Sequence, residues 1–178
     1  DQTRVSLAVW GAIVNPALPD EEARKKEVAW FLRNLPLAKA SGAACIETET
    51  TPMHKLPPTC TREEAYRTLR RSMEEILPHA LRLGVTVALE PVSSHVLNTV
   101  TLTMQLLREL ACPELRIIFD PVNLLTTELA KDQYALWDEA IDCFGDRLAA
   151  VHIKGVRIGE SGQLEKCVLE HSLVDYPY

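Results

Sequence analysis

No stretch of the 178-residue sequence stays apolar for the roughly 18–20 residues that a membrane-spanning helix requires. No run of lysine and arginine with interleaved aromatics occurs, and 19 basic against 25 acidic residues leave a formal charge of −6. A phosphate-backbone partner calls for a basic face, so neither nucleic acid nor membrane is expected as a partner. The five cysteines (Cys45, Cys60, Cys112, Cys143 and Cys167) contain no C-x-x-C pair. Their odd number and irregular spacing argue against a disulfide framework or a structural zinc, and predict reduced thiols in a cytoplasmic protein. Cys45, within an apolar run, reads as a small buried hydrophobe. The opening Asp1-Gln2-Thr3-Arg4 does not read as a signal peptide. Neither G-x-G-x-x-G nor G-x-x-x-x-G-K-[ST] follows any apolar run, which removes the usual nucleotide-binding reading of a parallel sheet.

What is present is a repeated alternation. Short apolar runs occupy Val5–Val14, Ala43–Ile46, Val85–Leu89, Leu115–Phe119 and Leu148–Ile153. Longer segments with helical spacing separate them. The clearest runs from Thr61 to Leu83, with Ala65, Leu69, Met73, Ile76, Leu77 and Ala80 three or four apart. Thr61-Arg62-Glu63-Glu64 forms a capping box at its start, and Gly84 supplies a left-handed stop. Another helix is expected from Asp20 to Ala40, ending at Ser41-Gly42, with Pro36 perturbing or bending it. Further helices are expected over Thr99–Leu110 and from about Lys131 to Phe144. The strands are nearly continuous apolar runs, as parallel strands covered on both faces require.

Strand followed by helix, several times over, specifies βαβ units and a parallel sheet. The spacing of roughly 30–40 residues is close to the ~31 expected of each unit in a (β/α)8 barrel. The fold class is therefore α/β, of the (β/α)8 TIM-barrel type, with a doubly wound open sheet as the alternative. No low-complexity linker divides residues 1–178, which read as one domain.

In a parallel barrel the chemistry sits at the C-terminal ends of the strands. Val85–Leu89 is followed by Glu90-Pro91, and Leu115–Phe119 by Asp120-Pro121-Val122-Asn123; the last apolar run carries His152 and Lys154. Three successive units thus finish in Glu, Asp and His. Neighbouring strand ends lie about 5 Å apart, so two carboxylates and an imidazole can converge on one divalent ion. Mn²⁺ is the first expectation, with Mg²⁺, Co²⁺ or Zn²⁺ as alternatives. Taken singly, Asp120 reads equally as a helix cap, His152 as a hydrogen-bonded core residue, His95 as a solvated loop residue and Lys154 as a carboxylate-paired lysine. Glu47 and Glu49 share one face at period two, so both point into the cavity or both toward the helical layer; Glu49, nearer the strand end, is the one expected to reach a substrate.

Leu89-Glu90-Pro91, then Phe119-Asp120-Pro121-Val122-Asn123, then Val151-His152-Ile153-Lys154, in that order and spacing, resemble the xylose isomerase-like TIM-barrel superfamily. Asn15-Pro16 and Val174-Asp175-Tyr176-Pro177 extend the resemblance over most of the chain. It implies Glu90, Asp120 and His152 as metal ligands, with Glu90 also a catalytic acid/base. It further implies isomerase or epimerase chemistry on a sugar or polyol, by proton transfer beside a carbonyl. His95, Asn123, Lys154 and Glu49 would contact substrate, Asn123 standing where the superfamily often has His. On this alignment the chain spans about strands 3 to 7 of a barrel that is incomplete at both ends, without the strand carrying a final Glu ligand. That departure leaves two other readings: an impaired or truncated barrel acting as a binding module, and an apurinic endonuclease-like metal hydrolase. A homo-oligomer or partner chain would be one way to cover the open edges.

Overall fold

A computed structural model describes residues 5–176; Asp1–Arg4 and Pro177-Tyr178 lie outside the described residues. Five parallel strands form one sheet in sequence order: β1 (Val9–Gly11), β2 (Cys45–Glu49), β3 (Val87–Glu90), β4 (Leu115–Phe119) and β5 (Leu148–Val151). Three of the crossovers run through helices α1 (Glu21–Ser41), α2 (Arg62–Leu83) and α3 (Val100–Leu110). The fourth runs through the short α4 (Pro121–Leu124) and α5 (Gln133–Phe144). Consecutive strands pairing in parallel through helical crossovers is barrel order, and a doubly wound sheet would reverse direction at a switch point. An antiparallel hairpin, β6 (Gly155–Ile158) with β7 (Leu164–Cys167), follows β5.

The two faces of the sheet differ. Ile46, Val87, Leu89, Leu115, Ile117 and Phe119 point outward and join Phe31, Leu35, Leu69, Met73, Ile76 and Leu106 in the main core between sheet and helices. On the concave face only a small cluster of Cys45, Ala88 and Ile118 is apolar, with Val9, Ala149 and Ala150 against it. Alternation at period two then places Glu47 and Glu49 above Cys45, Glu90 above Ala88, and Asp120 above Ile118, all on the concave side.

Both long helices start and stop where side-chain chemistry dictates. Asp20 accepts from the Ala23 N–H at the start of α1, and Gly42 adopts φ 75° at its end. The Thr61 hydroxyl accepts from the Glu64 N–H while the Glu64 carboxylate accepts from the Thr61 N–H, a complete capping box for α2. Thr61→Ala should lower the unfolding free energy by ~1 kcal/mol, since one free helix donor loses its partner. Urea titration checks it, and an unchanged midpoint would show that water replaces the hydroxyl at no cost.

α1 runs through Pro36 to Ser41 as the sequence expects, because the face carrying Phe31, Leu35 and Ala38 is packed and holds the helix across one missing N–H. Several other boundaries differ from the sequence expectation. The first strand is only Val9–Gly11, far shorter than the apolar run Val5–Val14, and Val5 is exposed. The second strand is shifted forward to Cys45–Glu49, because its C-terminal half turns carboxylates inward and so looks polar in sequence. His152 and Lys154 fall just beyond the end of β5, although the His152 N–H still bonds the Phe119 carbonyl at 2.9 Å and continues the ladder. The hairpin at 155–167 was not anticipated. It depends on Gly155, where a Cβ would collide with the Cys167 carbonyl oxygen.

Candidate functional site

Glu90 ends β3, Asp120 follows β4 and His152 follows β5, so the three side chains meet over the concave face. His152 Nδ1 lies 3.3 Å from Glu90 Oε2 and 3.8 Å from Asp120 Oδ2. His152 Nε2 lies 3.8 Å from Glu47 Oε2. Lys154 Nζ is 2.5 Å from Asp120 Oδ2 and 3.9 Å from Glu90 Oε1. The Asn123 side-chain amide donates to Glu90 Oε1. The phenol of Tyr176 fixes the lysine's main chain, accepting from the Lys154 N–H at 2.8 Å and donating to its carbonyl at 2.7 Å.

Asp120 serves two purposes. Oδ1 accepts from the Asn123 N–H at 3.1 Å and caps α4, while Oδ2 faces the site. Capping and site placement are thus compatible, because a carboxylate has two acceptor atoms. Lys154 is the carboxylate-paired lysine that one reading of the sequence expected. His95 is not a solvated loop residue: it is buried, with Nδ1 3.6 Å from Glu49 Oε2. Glu49 therefore lies on the concave face, paired with His95 on the side away from His152. Thr51, just past β2, holds φ 70° despite its branched side chain; its hydroxyl accepts from the Ala17 N–H and its carbonyl from the Val96 N–H. These bonds hold the His95 loop against β2 in a backbone conformation that costs about 1–3 kcal/mol.

The electrostatics follow from burial. Asp120 is 0% and Glu90 4% exposed. Desolvation pushes the Glu90 carboxyl above the usual carboxylate range, opposed by the Asn123 donor bond, His152 and Lys154. Desolvation likewise raises Glu47, with His152 and Lys154 opposing. Burial pulls the Lys154 ammonium down, but Asp120, Glu90 and Glu49 outweigh it and the net shift is upward. A carboxyl whose pKa is raised by folding binds its proton more tightly folded than unfolded. Its contribution to stability is therefore full at low pH and is lost as the pH climbs from its ordinary 4.5 through the raised value. In metal-free buffer Glu90→Gln should flatten that decline as the pH rises above 4.5. Urea midpoints across that range measure it, and a slope equal to wild type would dissociate Glu90 from the effect.

The donor set fits a divalent cation. Among the described residues, Glu47 Oε2 and His152 Nδ1 are buried side-chain atoms without a hydrogen bond, both at this one place, beside Asp120 Oδ2, which Lys154 alone neutralises. Leaving a buried polar atom unpaired costs ~1–3 kcal/mol, and two side by side mark a site shaped for something they would bind. Ligand atoms of Glu47, Glu90 and His152 lie within 4.8 Å of one another.

A family profile described as xylose isomerase-like TIM barrel matches residues 2–177. The chain belongs to the xylose isomerase-like TIM-barrel family. No curated protein matches it in sequence. Among solved structures, 3-keto-D-glucoside 4-epimerase YcjR from E. coli superposes with a TM-score of 0.69 at 20% identity, over 84% of this chain and 59% of that one. A D-psicose 3-epimerase in the presence of D-fructose gives 0.68 at 18%, over 88% and 56%. A xylose isomerase-like TIM barrel protein from Mycobacterium smegmatis, in complex with magnesium, gives 0.65 at 17%, over 96% and 60%. These identities establish a shared fold. The chain spans less than two-thirds of the length of each neighbour, so the parallel arc matches part of a family barrel.

Glu90, Asp120, His152, Asn123 and Lys154 are thus brought together, and Glu49 with His95 sits to one side. The sequence reading weighed Glu47 but preferred Glu49, and gave Tyr176 no role in the site. For Glu47 the signal was available: it shares the face of Glu49 at period two. Tyr176 acts through a contact 22 residues away in sequence that no local pattern announces.

Proposed function

We propose that the chain carries the metal-dependent proton-transfer site of a sugar or polyol isomerase or epimerase. The observation that carries this reading is the buried Glu90 carboxylate within 3.3 Å of His152, beside Asp120 and Lys154, over the mouth of a family arc. Family membership and the epimerases among its structural neighbours support the substrate class.

Glu90, Asp120 and His152 would hold the cation; carboxylate oxygens with one imidazole suit Mn²⁺, Mg²⁺, Co²⁺ or Zn²⁺. When bound, the cation polarises a substrate carbonyl and makes the adjacent C–H more acidic. Glu90 would act as one acid/base, taking the proton from that carbon on its own face and delivering it to the neighbouring enediolate carbon on the same face, which is isomerisation. Epimerisation would need a second group on the opposite face. Asn123 fixes the Glu90 carboxylate by donating to Oε1, leaving Oε2 free of that bond. The Lys154 ammonium, positioned by Tyr176, is placed to bind a substrate hydroxyl or carbonyl oxygen. Glu49 and His95 would contact the substrate on the β2 side.

The metal reading is tested by Mn²⁺ stoichiometry in wild type and His152→Ala. The expected result is about one ion per chain in wild type and a loss of affinity of about 100-fold in the variant. Equal binding in both would remove His152 from the site.

A further inference from the structure

We propose that Glu47 is a further ligand of this cation, so that four consecutive strands, β2 to β5, each contribute one side chain to it. The proposal rests on the metal reading above and names a residue which that reading does not require.

Three observations converge on Glu47. First, its Oε2 is buried without a hydrogen-bond donor, although carboxylate oxygens so placed are normally satisfied. Second, its ligand atom lies within 4.8 Å of those of Glu90 and His152, which are likewise within 4.8 Å of each other. Third, it is the carboxylate of the cluster that Lys154 leaves unpaired. The Lys154 ammonium lies within 4 Å of Asp120 and Glu90, whereas the ion-pair partner of Glu47 is His152, at 3.8 Å. Three carboxylates against one ammonium leave a formal charge of minus two, which one divalent ion would balance.

The fold keeps this carboxylate accessible. Gly11 is the ladder partner of Glu47 on β1, and the position its missing Cβ would take lies 3.5 Å from Glu47 Oε1. A glycine there leaves the carboxylate unwalled on the β1 side. Glu49, two residues on, shares the face but turns to His95. The pair therefore provides an internal control: either substitution removes one negative charge from the same strand and face, but only Glu47 touches the cluster.

The test is Mn²⁺ affinity, read by electron paramagnetic resonance, for wild type, Glu47→Gln and Glu49→Gln, with thermal melts to verify folding. The expected result is a loss of about tenfold or more for Glu47→Gln and a change of less than about threefold for Glu49→Gln. Wild-type affinity in Glu47→Gln, or equal losses in both variants, overturns the proposal while leaving the metal reading standing. If wild type itself binds no Mn²⁺, both fall. Should Glu47→Gln not fold, Glu47→His carries the test. A nitrogen donor at a ligand position should raise the ratio of Zn²⁺ to Mn²⁺ affinity by about tenfold, and an unchanged ratio overturns the assignment.

Discussion

Glu90→Gln should reduce proton exchange at a substrate carbon by about a thousandfold or more, since general acid/base groups contribute ~10²–10⁴ and this one also borders the cation. The substitution keeps size and hydrogen-bonding shape, so Asn123 and His152 retain a neighbour of the same dimensions. It removes the carboxylate base that ends β3. The measurement is deuterium incorporation into D-fructose, and then other ketohexoses, in Mn²⁺-containing D₂O, followed by NMR. Lys154→Met serves as the contrast: losing a binding contact should raise KM more than it lowers kcat. Exchange in Glu90→Gln at the wild-type rate would take Glu90 out of the chemistry. A drop equal to that of Lys154→Met would reduce it to a binding residue.

Arg24→Ala should destabilise the fold by about 3 kcal/mol, the largest loss expected from a single polar side chain outside the site. Arg24 is fully buried between α1 and α2. Its guanidinium reaches Glu21 at 2.8 Å, Glu75 at 2.6 Å and the Ser72 hydroxyl at 2.9 Å, and the Ser72 hydroxyl in turn donates to the Pro16 carbonyl. This network binds the two longest helices to the loop after β1. The Arg24 guanidinium, chiefly through its hydrogen bond, holds the Glu21 carboxyl down at about 2. Both glutamates remain partly in water, so Glu75→Gln should cost only ~0.5–1 kcal/mol, as a solvent-screened pair does. Removing the arginine leaves a hole and takes from the Ser72 hydroxyl the donor it accepts from as well. Urea unfolding of the two variants separates the cases, and similar losses in both would mean the ion pair, not burial, dominates.

The resemblance proposed Glu90, Asp120 and His152 as one constellation, and the structure places them within 4 Å of a common imidazole. That much was legible because each residue stands directly after an apolar strand, and barrel order carries adjacent strand ends together. The choice of Glu49 over Glu47 shows the limit of the same reasoning. Nearness to the strand end was the only guide available, yet Glu49 turns to His95, a residue whose loop is held by Thr51 and an isolated bridge at Pro52. Lys154 shows it differently: the lysine was flagged, but its orientation depends on Tyr176.

From the sequence alone came the parallel α/β class, most helix limits and the three strand-end groups. These depend on periodicity, caps and local order along the chain. Tertiary structure decided which carboxylate of β2 faces His152, that Asp120 both caps α4 and meets Lys154, that Arg24 is buried, and that a hairpin follows β5. Each of these is settled by contacts between segments far apart in sequence, where desolvation and packing choose among side chains that local pattern leaves equivalent.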